Sequence, residues 1–265
     1  MAEALDSAEA TSKPPIESLD RGLRLIEALA EAGPDGVALG ALAAGLGINK
    51  STAHRALAAL RARDFALQDP VGGNYRLGPR LVYLADRMLD DDNLREILGP
   101  ALARLCDEVD ELVHLGLPNL PWVTYVAKVE PERAVRVWSR VGSRASASST
   151  ALGRAILACL PAVPYAELRA TLPPGGKAHL AEVVAQAQLN GYASEHGENE
   201  PGIACVAVAV LRRGQPRAAV SVSAPIERLS PERGAEIAAI ARRVLSQHLP
   251  PGLELAAVGS PVASD

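Results

Sequence analysis

The chain is 265 residues long, enough for two domains of ordinary size, each with its own core. With 48% hydrophobic and 22% charged residues and a single Phe, it has the composition of a folded chain whose core is built from Ala and Leu, and disorder is expected only at the ends. A net charge of -4 excludes a protein that coats nucleic acid indiscriminately, yet the charge is uneven. Between Gly36 and Arg80, Lys50, Arg55, Arg61, Arg63, Arg76 and Arg80 stand against only Asp64 and Asp69, so a basic module is joined to an acidic body.

Cys106, Cys159 and Cys205 show no CxxC spacing, which points to buried thiols in a reducing cytosol rather than to disulfides or zinc. His114, His179 and His196 form neither HxH nor HExxH, so neither metal nor cofactor is expected. The N-terminus carries no apolar segment before a cleavage site, and the longest apolar runs, such as Ile203 to Leu211, fall short of a membrane span. A cytoplasmic protein is expected.

Residues 1–15 lack a periodic apolar face and read as a tail. Ser18 can cap a helix that presents Leu19, Leu23, Ile26 and Ala30 on one side, and Gly33-Pro34-Asp35-Gly36 stops it. A second helix from about Gly40 to Leu46 ends at Gly47, which supplies a tight turn. Asn49 can cap a third helix running to about Arg63, with Ala53, Ala56, Leu57 and Leu60 as its buried stripe. Lys50, Ser51, Thr52, His54 and Arg55 crowd the exposed start of that helix. This is the pattern of a helix-turn-helix whose second helix enters the major groove of DNA. Ser51 and Thr52 would serve phosphates, and Arg55 or His54 a base edge. Two short strands, Phe65 to Asp69 and Tyr75 to Leu77, would form a wing, placing Arg76 against phosphates or a minor groove. The alternative of an ordinary solvated helix start is opposed by the agreement of spacing, wing and local charge.

Gly78-Pro79 precedes an amphipathic segment carrying Leu81, Leu84, Ala85 and Met88, closed by Asp90-Asp91-Asp92. The domain reading is therefore a 16–78 winged helix-turn-helix, a 79–93 linker helix, a 94–250 second domain and a 251–265 C-terminal tail. A linker helix with an apolar side suits a dimer. Beyond Leu94 the spacing predicts helices at about 94–110, 150–160, 180–189 and 231–248. Strands are predicted at 112–117, 122–129, 135–138, 203–211 and 218–224. Helices with a mostly antiparallel sheet make this an α+β domain.

Several residues of this half leave two readings open. Ser146 to Thr150 ahead of a helix are either a cap or the rim of an anion site at free helix amides. Ser221 and Ser223 alternate with Val220 and Val222, so both hydroxyls fall on one sheet face, which is solvent or a pocket floor. Cys205, in an apolar strand with no adjacent base, is better read as buried than as a nucleophile.

Ser18-Leu19-Asp20-Arg21, Asn49 to Arg55, Tyr75-Arg76-Leu77-Gly78, Thr150-Ala151-Leu152-Gly153-Arg154, Glu198 to Ala207 and Ser221 to Pro225 occur in an order and spacing that resembles the IclR family of bacterial transcriptional regulators. The resemblance runs from Ser18 to His248. It implies a winged-helix domain, a linker helix and a GAF-like effector domain, acting as a homodimer or homotetramer on an operator under control of a small organic, often carboxylic, effector. It places Ala151 with its neighbours Ser148, Ser149 and Thr150, together with Glu195, Cys205, Ser221 and Ser223, around the effector. Two positions depart from the family pattern: Ser148 stands where a His is common and Glu195 where an Asp is common. The alternative from another class is a hydrolase-like enzyme using Ser148 or Cys205, which lacks a GxSxG elbow. A sensor without DNA contact is a third reading.

Overall fold

The structure is a computed structural model and describes residues 15–71, 73–89, 93–132 and 139–259. The chain divides into two compact units, 1–92 and 93–265.

In the first unit, α1 (Glu17–Ala32), α2 (Leu39–Gly45) and α3 (Lys50–Arg61) are followed by the hairpin β1 (Ala66–Gln68) and β2 (Tyr75–Leu77) and by α4 (Arg80–Leu89). α1 starts after Ile16 with no side-chain cap, so Ser18 lies inside the helix, where Glu17 and Asp20 place negative charge in the first turn. The buried face of α1 also differs from the one expected. Leu25 and Leu29 are fully buried, while Leu19 and Leu23 remain 59% and 53% exposed. Both stripes are apolar at helical spacing, and only packing against Leu42, Leu57, Ala66 and Tyr75 decides which one the unit's own core takes. Gly47, at φ 65°, reverses the chain between α2 and α3. Residues 66–68 pair antiparallel with 75–77, and Val37 bridges Tyr75, extending the wing by one further backbone pair.

The second unit contains α5 (Leu94–Val109), β3 (Leu112–Asn119), β4 (Trp122–Val129), β5 (Arg144–Ser146), α6 (Ala151–Leu157), α7 (Ala162–Ala170), α8 (Pro174–Asn190), β6 (Ala193–His196), β7 (Ile203–Arg212), β8 (Gln215–Pro225), α9 (Pro231–Ser246) and β9 (Leu253–Leu255). Among the described residues, seven strands form one sheet in the order β5-β4-β3-β8-β7-β6, with β9 also on β7 beside β6, and every pairing is antiparallel. Both faces are covered. Ala204, Val206, Val208 and Val210 of β7 pack with α5 and α9, whereas Ala207 and Ala209 pack with α6 and α8. Burial on both faces is why β7 and β8 read in sequence as continuous apolar runs.

Several elements depart from the sequence reading. β3 continues to Asn119, leaving Leu120-Pro121 as the turn. α7 was not expected, and α8 begins at Pro174 rather than near Leu180; Pro occupies its first turn, where an amide is unbonded anyway, and Gly175 and Gly176 are tolerated behind it. Residues 253–255, read as part of a tail, form β9, because the edge of β7 at Val210 to Arg212 still offers unpaired backbone groups. The expected strand at 135–138 lies outside the described residues.

Candidate DNA interface and effector site

Asn49 fixes the start of α3. Its side-chain oxygen accepts the Thr52 amide at 2.8 Å and the Ser51 hydroxyl at 2.8 Å, so this cap satisfies one of the otherwise orphaned amides of the first turn. Ala53 and Leu57 anchor the helix in the core with no exposure, which turns Lys50, Ser51, His54 and Arg55 to the surface and leaves Thr52 half-buried. Arg76 is exposed on β2 between buried Tyr75 and half-buried Leu77. The wing closes at Gly78, where an added Cβ would lie 2.1 Å from the Asp64 carbonyl oxygen. Among the described residues, Lys50, His54, Arg55 and Arg76 make no side-chain hydrogen bond or ion pair. Side chains held on a rigid scaffold without internal partners, three of them cations, are available for phosphates and base edges.

In the second unit the face of the sheet toward α6 carries a polar floor within an apolar core. Register puts Glu195 of β6 opposite Cys205 of β7 and Cys205 opposite Ser223 of β8, while Ser221 lies between Ala207 and His114 of β3 in the next row. Glu195, Ser221, Ser223 and His114 are each no more than 3% exposed. The Cys205 thiol donates to Ser223 Oγ at 3.1 Å. One oxygen of Glu195 accepts the amides of Glu198 at 3.0 Å and Asn199 at 3.5 Å, while the other, Oε1, has no partner. Burial pushes the Glu195 carboxyl above the usual range, and the nearby Cys205 thiol, the two amides and Arg154 only partly oppose it. Burial also pushes the Cys205 thiol up, with the Glu195 charge adding to it, so this cysteine is not a thiolate. His114 Nε2 lies 2.6 Å from Ser139 Oγ and its ring stacks obliquely on Tyr125 with centroids 5.0 Å apart. Its Nδ1 is buried without a partner. Desolvation, aided by Lys128, lowers its pKa to about 4, so the ring is neutral.

Arg154 organises the loops beside this floor. Its Nε donates to the Ser148 carbonyl at 3.0 Å, Nη1 donates to the Ser194 carbonyl at 3.0 Å, and Nη2 pairs with the Glu198 carboxylate, which also contacts His179 Nε2 at 3.0 Å. The residue is 1% exposed.

The structure thus brings Glu195, Cys205, Ser221 and Ser223 onto one face. Ser148, Ser149, Thr150 and Ala151 lie on the segment that Arg154 ties to β6. Thr150 serves as a cap: its hydroxyl donates to the Ser146 carbonyl at 2.8 Å and accepts the Gly153 amide at 3.1 Å. Of the two readings of this stretch, the cap is therefore present at Gly153, and Ala147 packs so closely there that a Cβ on Gly153 would lie 2.2 Å from its backbone. Ser148 shares its hydroxyl with Ser146 at 2.9 Å. Sequence reasoning missed His114, Tyr125 and the role of Arg154. The available signals were a lone His alternating with Leu112 and Gly116, and an Arg inside an apolar helix.

Comparison with known proteins decides the family. The model of the bacterial transcriptional regulator IclR C-terminal domain matches residues 86–247, and that of the IclR helix-turn-helix domain matches residues 18–70. The chain belongs to the IclR family.

This IclR-family chain is 31% identical over 208 residues to the HTH-type transcriptional regulator XynR of Escherichia coli K12, covering 74% of this chain and 81% of that protein. It is 29% identical over 250 residues to the transcriptional repressor IclR of the same organism, covering 89% of each. Among solved structures, an IclR homologue from Microbacterium hydrocarbonoxydans complexed with 4-hydroxybenzoate superposes with a TM-score of 0.71 at 24% identity, covering 87% of this chain and 98% of that one. The relatives are transcriptional regulators, and the chain is a DNA-binding regulator of their kind rather than an enzyme. The geometry agrees with this: Cys205 is held as a neutral thiol, and Ser148 pairs with another serine rather than with a base. Among the described residues no helix is long and apolar enough to cross a membrane, and no group of three His, Cys, Asp or Glu is placed to hold a metal.

Proposed function

We propose that the protein binds a specific operator through α3 and its wing, and that a small organic acid on the floor of the second unit alters that binding. The observation that carries the DNA reading is the set of exposed, unengaged side chains around a capped helix start, the cations Lys50, Arg55 and Arg76 with His54, and Ser51 and Thr52 beside them for phosphate contact. The effector reading rests on a buried sheet face carrying Glu195, Cys205, Ser221 and Ser223, flanked by the segment from Ser148 to Ala151. A ligand held by the Microbacterium relative supports small-molecule control in proteins of this fold.

Homodimerisation, or pairing of dimers into a homotetramer, is part of the same reading. Ile16 at the N-cap of α1, Leu19 and Leu23 on that helix, and the side chains of Val82, Tyr83 and Leu84 on α4 are all at least 40% exposed in the single chain. The domain reading of winged helix-turn-helix, linker helix and effector domain follows the same division of labour.

Selection of duplexes from a random pool by the full chain, repeated with a panel of small organic acids, tests the proposal. Enrichment of a palindromic sequence whose retention changes with one acid supports it. Recovery of unrelated sequences at every salt concentration counts against operator recognition, and a palindrome unaffected by any acid counts against effector control.

A further inference from the structure

The two faces of β7 are filled differently. Val206, Val208 and Val210 pack toward α5 and α9, but on the other face Ala207 and Ala209 stand where a valine would suit the strand as well. The helices over that second face are small-sided toward their C-terminal ends. α6 and its C-cap present Ala155 and Ala158, and α8 passes from Leu180 and Val184 to Ala187. A hollow of about 160 Å³ remains between α6, α8 and β7.

The segment after β9 crosses this hollow. The Ala256 amide donates to the Ala209 carbonyl at 3.1 Å and the Gly259 amide to the Gln188 carbonyl at 3.2 Å, so the chain straps β7 to α8. Gly191, which ends α8 at φ 70°, meets the strap directly: a Cβ there would lie 2.6 Å from Val258 Cγ2.

The lining defines what fits. It carries no acidic or basic side chain among the described residues, and its polar side-chain atoms come from Cys159, Gln188 and Tyr192. Burial pushes the Cys159 thiol up to about 11, so it is neutral. Gln188 Nε2 is engaged with the Ala158 carbonyl at 3.1 Å, and Arg242 of α9 donates to the Gly191 carbonyl from outside the lining. A carboxylate entering here would shed water without meeting a cation. Water would find few of the two to four partners that hold it in a buried site, whereas an apolar cavity of about 150 Å³ stays dry and accepts benzene. The hollow is also distinct from the polar floor: Cys205 and Ala209 share a face of β7 but are separated by about 13 Å of strand, with buried Ala207 between them.

We propose that this hollow is a second small-molecule site, separate from the floor of Glu195, Cys205, Ser221 and Ser223, and that it takes a neutral apolar molecule the size of one six-membered ring. Such a ligand differs in chemistry from the organic acid assigned to the floor, so the two bind without competing.

Fluorobenzene is the probe, followed by the broadening of its fluorine NMR signal on addition of the full chain, with thermal unfolding of each variant measured alongside. Wild type should broaden the signal, and reversing it should take at least about 10-fold more benzoate than toluene. Ala209→Val and Ala187→Leu add carbon to the hollow; each should weaken fluorobenzene binding about 10-fold or more while unfolding at no lower temperature than wild type. Ser223→Val, on the floor, should bind fluorobenzene as wild type does. Absence of broadening by wild type, displacement by benzoate as readily as by toluene, or loss of binding in Ser223→Val overturns the proposal. So does binding kept by both filling variants, or a lowered unfolding temperature in both, which would show the space too tight for added carbon. Where one of the two fails to fold, the other decides.

Discussion

Arg154 Nη1 donates to the carbonyl oxygen of Ser194 across 40 residues of chain at 3.0 Å. Together with the bond from Nε to the Ser148 carbonyl, it locks the start of α6 to β6, so the two segments flanking the polar floor cannot move independently. Arg154→Met should leave the Ser148 and Ser194 carbonyls unsatisfied and the Glu198 carboxylate with His179 alone, and destabilise the second unit by about 3–5 kcal/mol. Arg154→Lys should recover little of this, since three donors on one ammonium nitrogen cannot span acceptors that Arg154 reaches from three separate nitrogens. Urea unfolding followed by tryptophan fluorescence checks both, and a lysine variant of wild-type stability would show that the fork is dispensable.

His114 predicts a pH dependence. Its folded pKa of about 4 lies below the ordinary 6.5, so between those values the unfolded chain takes up a proton that the folded chain refuses. Stability from this group is complete above pH 6.5 and is lost as pH falls toward 4, by up to about 3 kcal/mol. The charged groups around the ring are Lys128, which deepens the shift, and Glu130, which opposes it. The urea midpoint of His114→Gln should fall less steeply over this range than that of wild type; parallel slopes would contradict a buried neutral ring.

Two glycines in helices should respond in opposite directions. Gly153→Ala drives a methyl into the Ala147 backbone and should cost about 1–3 kcal/mol. Gly22→Ala in α1 meets nothing within 4 Å and should stabilise by about 0.5–1 kcal/mol. Thermal unfolding of both variants distinguishes close packing at the start of α6 from a general sensitivity of glycine positions.

The elements that position these residues differ in how far they could be read in advance. α3 was legible because Asn49 is a capping residue placed directly before a periodic stripe, and β4 because a strand-forming run from Trp122 to Val129 stands between turn signals. β5, β6 and β9 were not, being three or four residues long and identified only by the strand they pair with. Choosing Leu25 and Leu29 over Leu19 and Leu23 required the neighbouring helices. In the floor, the alternation of Ser221 and Ser223 gave their shared face, yet nothing local to His114 or Arg154 names partners 25 to 44 residues away.

On the DNA side, Arg55 and Arg76 should separate into two kinds of contact. Arg55→Ala should relax sequence preference at one position by about 1–3 kcal/mol, whereas Arg76→Ala on the wing should weaken binding to all sequences alike and flatten the salt dependence. Competition titrations with single-base operator variants read the difference. A uniform loss on Arg55→Ala would reassign that side chain to phosphate.

The central claim is that one chain couples operator recognition by α3 to occupancy of the second unit. The most direct measurement is binding of the full chain to a labelled duplex from immediately upstream of its own coding region, against a scrambled duplex, at two salt concentrations and with and without each of a panel of small organic acids. The account predicts a preference for the upstream duplex that weakens as salt rises and is shifted by at least one acid in wild type but not in Ser223→Val. Equal affinity for both duplexes at each salt concentration, unchanged by every acid, would contradict it.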